Sequence, residues 1–182
     1  ICYWLHSKIQ KHNNIIAMDM KRLDNSISAY CYEEIIGNIL DANLIDQLHA
    51  EYEFDSIYHL AALLSTQAEF SPQSAHDVNV GGTMNLLNLA LEQGKSQGKQ
   101  IKFFFPSSIA IYGLKNLKEK ELAGRVKENS YRNPFTMYGC NKLYCEHLGN
   151  YYSNNYQRLG AEKHQSYIDF RSIRFPGIIS SK

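Results

Sequence analysis

The chain alternates short apolar runs with longer segments in which apolar residues recur at helical spacing. The runs contain many β-branched and aromatic residues, and several are apolar throughout, which is typical of strands buried on both faces of a sheet. They lie at residues 14–19, 32–36, 56–60, 101–106 and 167–174. Because parallel strands joined by crossover helices produce this alternation, the pattern predicts an α/β fold built on a doubly wound parallel sheet.

Three helices are predicted between the strands. Asp41 is suited to cap a helix that ends at Ala50, since a carboxylate can accept hydrogen bonds from the free amides of a first turn. Pro72 suits the first turn of a longer helix, which is expected to end in the polar turn 94–99. The residues of that helix expected to face the core are Val78, Val80, Met84, Leu87 and Leu91. The third helix is predicted over residues 134–156.

Composition restricts the classes of function. The chain has 182 residues, of which 44% are hydrophobic and 20% charged, with a formal net charge of +1 and no long block of like charge. This balance provides no electrostatic footprint for nucleic acid, so small molecules or another protein are the expected partners. No apolar run approaches the roughly 20 residues of a membrane helix, and no signal-peptide pattern is present. We therefore expect a soluble cytoplasmic protein.

The cysteines predict neither disulfides nor a metal site. Cys2, Cys31, Cys140 and Cys145 belong to a chain long enough to have its own core, so free thiols in a reducing compartment are expected. Cys140, Cys145 and His147 are spaced by five and then two residues. That spacing does not bring them onto one helical face as metal ligands.

Tyr138 and Lys142 carry the first indication of chemistry. They are four residues apart and therefore share a helical face. A tyrosine titrates near pH 10 and needs a nearby cation before it can take a proton from an alcohol, and Lys142 is placed to be that cation. Ser108 ends an apolar strand at the sheet edge where ligands bind, and it could hydrogen-bond a substrate oxygen. A chance pair on an amphipathic helix and a capping serine are the ordinary alternatives.

Five segments follow one another in the order and spacing of the extended short-chain dehydrogenase/reductase family, which the chain resembles over nearly its whole length. The segments are Tyr58-His59-Leu60-Ala61-Ala62, Asn79 with residues 82–87, Pro106-Ser107-Ser108 through Tyr112-Gly113, Tyr138-Gly139-x-x-Lys142 and Arg174-Phe175-Pro176-Gly177. The resemblance implies a Rossmann-like NAD-binding domain and favours a Ser-Tyr-Lys site over the ordinary alternatives.

The resemblance also implies roles for single residues. Tyr138 would be the general acid or base, Lys142 its activator and a ligand of the nicotinamide ribose, and Ser108 the partner of the substrate oxygen. Asp19 would bind the adenosine ribose hydroxyls, which favours NAD over its 2′-phosphorylated form, although two basic residues follow closely. Asn38 stands where the family usually has aspartate, and it can still accept from the adenine amino group. The other implied cofactor contacts are Ile39, Leu60, Ala61, Ala62, Leu63, Asn79, Ser107, Phe175 and Pro176.

Both ends of the sequence are expected to be incomplete. Folds of this kind open with a strand and a glycine-rich turn that holds the cofactor pyrophosphate, and nothing before Asn14 supplies either. Residues 1–11 resemble the end of a first helix, and residues 180–182 leave no room for a substrate-side lobe. We interpret residues 1–182 as one NAD-binding domain, incomplete at both ends, with a gap at the centre of its sheet and poor stability alone.

Within the family, several short segments of the sequence most resemble the short-chain type of L-threonine 3-dehydrogenase. The similar segments are residues 59–65, 68–69, 106–110, 136–139 and 171–180. This implies NAD-dependent oxidation of the threonine 3-hydroxyl to 2-amino-3-oxobutyrate. Ser65 and Thr136 are then candidate substrate contacts beside Ser108 and Tyr138, with a turn serine and a helix-capping threonine as alternatives. The competing functions are a nucleotide-sugar 4-epimerase or dehydratase with tightly bound NAD, and a redox-silent NAD-binding protein.

A homodimer is the assembly that the resemblance implies. Two long helices, one ending near Gly94 and one carrying Tyr138, occupy positions that in this family pack across a two-fold axis. Four tyrosines on the second helix could line that surface or cover the core of the domain itself. They are Tyr144, Tyr151, Tyr152 and Tyr156.

Overall fold

The computed structural model describes residues 14–160 and 165–176. Five parallel strands alternate with helices in this part of the chain. They are β1 (Ile16–Asp19), β2 (Glu33–Ile36), β3 (Ser56–Tyr58), β4 (Ile101–Ser108) and β5 (Ile168–Phe175). Each strand begins and ends within two residues of a predicted strand, so the α/β prediction is confirmed. The calls on residues 1–11, Cys2, Gly177 and residues 180–182 lie outside the described residues.

Seven α-helices connect the strands in the described residues. They are α1 (Asn25–Ser28), α2 (Ala42–Glu51), α3 (Ser65–Phe70), α4 (Pro72–His76), α5 (Gly82–Gln97), α6 (Leu117–Ala123) and α7 (Met137–Asn154). The α2 helix is the one predicted from Asp41, whose carboxylate accepts from the amides of Asn43 and Leu44. The prediction missed α1, α3 and α6, which are too short to show a helical period. None of the described helices is both long and apolar enough to span a membrane.

The strands form two parallel sheets over one core. β1 pairs with β2, and β4 lies between β3 and β5, while no strand pair joins the two sheets within residues 14–160 and 165–176. Alternate residues of β4 are buried, and the carboxyl-terminal half of the strand lies beneath α7. Buried side chains next to the two-stranded sheet and buried side chains of the three-stranded sheet form a single cluster. It includes Ile39, Leu48, Leu87, Phe103, Phe105 and Ile168. The core therefore fixes α5 and α7 relative to both sheets.

The long helix predicted from Pro72 is interrupted. Pro72 begins α4, and a π-helical turn over Asp77–Gly81 joins α4 to α5. A π-turn changes the helical period, so the side chains beyond it face other directions than a regular helix predicts. Met84 was predicted to face the core, but it is 38% exposed, whereas Thr83 and Leu87 are fully buried.

The end of α5 also differs from the prediction. The polar turn was expected to begin at Gly94, but the helix continues to Gln97 and ends at Gly98, which has a φ of 66°. That left-handed conformation suits glycine at a helix end. Gly94 is buried inside the helix, where an added Cβ would lie 2.7 Å from the Tyr167 carbonyl oxygen. Its small size is needed for close packing against the chain before β5.

Candidate active site

Lys142 lies buried where α7 crosses the carboxyl end of β4. Its ammonium donates to the Pro106 carbonyl oxygen at 2.7 Å. It also lies 4.4 Å from the centroid of the Phe105 ring and 5.6 Å from that of the Tyr138 ring. Both ring faces attract a cation. The structure therefore brings the predicted Tyr-Lys pair together at the edge of the sheet.

Burial moves the pKa values of this pair toward the uncharged forms. It raises the pKa of the half-buried Tyr138 hydroxyl. It lowers the pKa of the Lys142 ammonium to about 8, against a smaller opposite effect of Cys145. Lys142 was expected to stabilise the Tyr138 phenolate and so to lower the pKa of the phenol. Among the described residues, desolvation raises that pKa instead. Both side chains therefore favour their uncharged forms more than they would in water.

Ser108 follows directly on the strand that Lys142 contacts. Its hydroxyl oxygen accepts from the Ala110 amide at 3.1 Å and so caps a 3₁₀ turn, Ile109–Ile111. The capping alternative is therefore confirmed, while the hydroxyl hydrogen can still donate to a ligand. The preceding Ser107 is buried and lies close enough to Glu146 to help lower the pKa of that carboxyl. Of the two hydroxyls, Ser108 is the more accessible.

The first turn of α7 is held against the turn that follows β4. The Thr136 hydroxyl accepts from the Gly139 amide at 3.1 Å, and the Glu69 carboxylate accepts from the Met137 amide at 2.7 Å. A Cβ added at Gly139 would lie 2.3 Å from the Ala110 carbonyl oxygen. The capping role of Thr136 is therefore confirmed. The predicted helix start at residue 134 was too early, since the capping threonine comes just before Met137.

A buried ion pair beside the site was missed by the sequence analysis. Arg174 donates from Nε and Nη2 to the two Glu146 carboxylate oxygens, at 2.9 and 2.7 Å. Its Nη1 donates to the Tyr112 hydroxyl at 2.9 Å and to the Glu128 carbonyl at 2.6 Å. Burial alone would raise the pKa of Glu146, but the Arg174 hydrogen bonds lower it. The signals in the sequence were that Glu146 stands four residues after Lys142 and that Arg174 opens one of the five family segments.

Asn79 supports the segment after β3, residues 60–63, whose members are predicted cofactor contacts. It was expected to line the cleft, but it is 3% exposed. Its side-chain oxygen accepts from the Leu63 amide at 2.8 Å, and its side-chain nitrogen donates to the Leu63 carbonyl at 3.1 Å. Leu60 and Ala61 are exposed after β3, and Ala62 is half-buried. Asn79 therefore positions this segment instead of facing a ligand.

His59 lies buried beneath the same segment. Its Nε2 is 2.9 Å from the Thr83 hydroxyl, which itself donates to the Asn79 carbonyl. Because the hydroxyl hydrogen is used there, Nε2 must carry the imidazole proton in this arrangement. Burial, with a smaller effect of Lys142, lowers the pKa of His59 to about 3. The residue is therefore neutral over the physiological range.

The residues predicted for the adenosine end of the cofactor lie at the carboxyl ends of β1 and β2. Asp19 is exposed, and one of its carboxylate oxygens accepts from the Lys21 amide at 3.0 Å. The second oxygen makes no hydrogen bond within the described part of the chain, which suits a ribose hydroxyl. Asn38 uses its side-chain oxygen in a turn with the Leu40 amide at 3.0 Å. Ile39 is 6% exposed, so its side chain belongs to the core.

The remaining residues predicted to contact cofactor or substrate lie beside the carboxyl end of β4 or away from it. Phe175 is half-buried and paired in register with Ser108, and Pro176 next to it is exposed. Ser65 is exposed at the first residue of α3. Cys140 is an exposed free thiol and Cys145 a buried one. Within residues 14–160 and 165–176, no three potential metal ligands come together.

Similarity to known proteins identifies the family. The family described as GDP-mannose 4,6 dehydratase matches residues 4–162. An uncharacterized epimerase/dehydratase of Staphylococcus aureus is 35% identical over 170 residues, which are 92% of this chain and 46% of that relative.

Two solved structures are similar in fold and sequence. L-threonine dehydrogenase from Clostridium difficile has a TM-score of 0.77 and 31% identity, covering 98% of this chain and 49% of that one. A monomeric L-threonine 3-dehydrogenase from a metagenome has a TM-score of 0.71 and 34% identity, covering 91% and 46%. The chain spans about half the length of the relatives it matches.

Proposed function

Because the chain belongs to the extended short-chain dehydrogenase/reductase family, the NAD-dependent epimerase/dehydratase group, we propose that the complete protein oxidises L-threonine with NAD. The product would be 2-amino-3-oxobutyrate, formed at the 3-hydroxyl. One observation carries the chemistry: the Lys142 ammonium is held 2.7 Å from the Pro106 carbonyl and beside the Tyr138 ring. The similarity to two L-threonine dehydrogenases at 31% and 34% identity supports the choice of substrate.

The residues present fit NAD at the carboxyl edge of the sheets. Asp19 would hold the adenosine ribose, the exposed segment after β3 would flank the cofactor, and Lys142 would bind the nicotinamide ribose. When bound, oxidised NAD supplies a hydride acceptor and a positive charge.

The chain's own groups handle the proton. Ser108 donates its hydroxyl hydrogen to the substrate oxygen and so orients the alcohol. Tyr138 takes the hydroxyl proton as the carbonyl forms, and Lys142 stabilises the phenolate form that does so. Thr136 and Ser65 are proposed contacts to the amino acid. Thr136 lies at the start of α7 close to this edge, and Ser65 is accessible at the start of α3.

A nucleotide-sugar 4-epimerase or dehydratase is the second candidate. The Staphylococcus aureus relative carries the name epimerase/dehydratase, and the matching family is described as GDP-mannose 4,6 dehydratase. In an epimerase the cofactor would be reduced and reoxidised within one turnover, so no NADH would accumulate. Incubating the complete protein with NAD and either L-threonine or UDP-glucose separates the two. Net NADH from threonine supports the dehydrogenase, and sugar interconversion without net NADH supports the epimerase.

We propose a homodimer built on the exposed face of α7. Tyr144 and Tyr151 are 50% and 44% exposed on that helix, and aromatic residues are enriched at interfaces. Tyr152 is buried and donates to Asn88 at 2.8 Å, and Tyr156 packs against the core, so these two cover the domain itself. One similar protein is described as monomeric, so the assembly has to be measured. Light scattering gives the molar mass of wild type and of Tyr144→Lys, in which the interface would carry a charge. A monomeric wild type would contradict this assembly.

A reducing compartment is the proposed location, and we place the protein in the cytoplasm. Cys140 and Cys145 are free thiols, and Cys140 is exposed. Exposed free thiols persist in reducing compartments. Fractionation of the native host cells tests this location.

A further inference from the structure

Arg174 connects three separate parts of the chain next to the candidate active site. It lies on β5, and its guanidinium binds Glu146 on α7, the Tyr112 hydroxyl after β4 and the Glu128 carbonyl in the loop that leads to α7. The Tyr112 ring also lies 5.3 Å from the guanidinium carbon. The paired side chains are only 13% and 8% exposed, so water competes little for these bonds.

The ion pair lies next to the proposed catalytic residues, both on α7 and on the sheet. Glu146 follows Lys142 by four residues and Tyr138 by eight, so all three share one face of α7. On the sheet, Arg174 is the register partner of Ser107, directly before Ser108. The pair therefore joins α7 to β5, the strand beside the one that ends in Ser108, one helical turn beyond Lys142.

We propose that Arg174 and Glu146 are positioning residues that hold α7 at a fixed height on the carboxyl end of β4. This inference rests on the proposed function, because it concerns how Tyr138 and Lys142 stay aligned with Ser108. A bidentate guanidinium–carboxylate pair fixes both distance and orientation, which a single hydrogen bond does not. The third nitrogen donates a single hydrogen bond to the Glu128 carbonyl and so ties the loop before α7 to the same guanidinium.

Stability alone gives a weak reason for such a pair. Replacing a buried ion pair by apolar residues of similar size is often neutral or stabilising, because desolvation offsets the attraction. Alignment at a reacting centre is more demanding, since a displacement of about 1 Å can cost about 100-fold in rate. The pair is therefore expected to matter more for turnover than for folding.

The test compares Arg174→Lys with Arg171→Lys in the complete protein. Arg171 is a matched control because it lies on the same strand and binds both carboxylate oxygens of Asp169, yet it is exposed. We expect Arg174→Lys to lower kcat for threonine about 10- to 100-fold while KM and the Kd of NADH stay unchanged. Arg171→Lys should leave all three unchanged. If Arg174→Lys does not fold, the paired variant Arg174→Met with Glu146→Leu should fold and show the same loss of kcat.

A second readout does not depend on the substrate. Tyrosine labelled with ¹³C at Cζ reports the titration of Tyr138 by NMR, and the resonance is assigned by its loss in Tyr138→Phe. Its titration should shift in Arg174→Lys and stay in place in Arg171→Lys, even if threonine proves not to be the substrate. Unchanged kcat and an unchanged titration in Arg174→Lys, with only a lower Tm, would overturn the positioning role. A wild type that forms no NADH from threonine would overturn the proposed substrate instead.

Discussion

The Lys142 ammonium donates to the Pro106 carbonyl at 2.7 Å while burial lowers its pKa to about 8. One hydrogen bond thus holds a cation in a place where the charged form is disfavoured. Functional sites commonly reduce the stability of the fold that carries them. We propose that Lys142 is such a case, because the role proposed for it in proton transfer requires a buried position at a cost to folding.

Lys142→Met should therefore abolish activity and stabilise the domain. At pH 7 the lowered pKa corresponds to a cost of roughly 3 kcal/mol, and losing the bond to Pro106 takes back about 1 kcal/mol. We expect a net gain of about 2 kcal/mol in the free energy of unfolding, measured by urea denaturation without cofactor.

The stability that Lys142→Met gains over wild type should decrease as the pH rises. Both states carry the Lys142 proton below about pH 8, so the cost is fully present there. Between about pH 8 and the unfolded value of 10.5 the folded chain loses the proton while the unfolded chain keeps it, so the cost fades as the pH rises. The difference between Lys142→Met and wild type should shrink over this window. A variant less stable than wild type at pH 7 would show that Lys142 stabilises the fold.

His59 should make the domain sensitive to acid. Its folded pKa of about 3 lies below the ordinary 6.5, so the unfolded chain binds one more proton between these values. The free energy of unfolding should then fall by up to about 1.4 kcal/mol per pH unit as the pH drops from 6.5. His59→Gln keeps a donor for Thr83 and should remove this slope. The exposed His147→Gln is the control, and an equal effect in both variants would refute the assignment.

Gly139 should be required for the alignment of α7. In Gly139→Ala the new methyl group would meet the Ala110 carbonyl at 2.3 Å, so the first turn of α7 must move away from β4. We expect a loss of about 1–3 kcal/mol in stability together with a large fall in kcat. Gly149→Ala is the matched control on the same helix, where the methyl group would meet the Phe170 ring at 2.1 Å. It should destabilise the domain while kcat of the folded fraction is kept.

The two roles of Thr136 can be separated. Thr136→Asn keeps an oxygen that caps α7, so stability should stay within about 0.5 kcal/mol of wild type, whereas Thr136→Ala should lose about 1 kcal/mol. If Thr136 also contacts the amino acid, both variants raise KM for threonine. Unchanged KM in Thr136→Asn would leave Thr136 as a helix cap alone.

Local sequence patterns predicted the elements well but not the contacts between them. The five strands and the Asp41 cap depend on periodicity and turn chemistry within a few residues. By contrast, the Arg174–Glu146 pair joins residues 28 apart, and the Glu69 cap of α7 joins residues 68 apart. No local pattern records such pairings, so these contributions to the site became visible only in the folded chain.

The local environment of single residues explains the remaining differences. The pKa of Tyr138 was expected to fall beside Lys142, but it rises because the fold desolvates both groups. Met84 was assigned to the core by helical spacing, and the π-turn before it changed that spacing. Asn38 was assigned to adenine by resemblance, yet its side-chain oxygen caps a local turn. Each difference arises where the environment of a residue outweighs its type.

The most direct test follows NADH absorbance after L-threonine is added to the complete protein with NAD, for wild type and for Tyr138→Phe. Tyr138→Phe removes the hydroxyl that takes the proton and keeps the ring beside Lys142. The account predicts NADH formation in wild type that falls at least about 100-fold in Tyr138→Phe, the scale of general acid–base catalysis, with NADH affinity retained. Equal NADH formation in the two proteins would contradict the assignment of the reaction to this site.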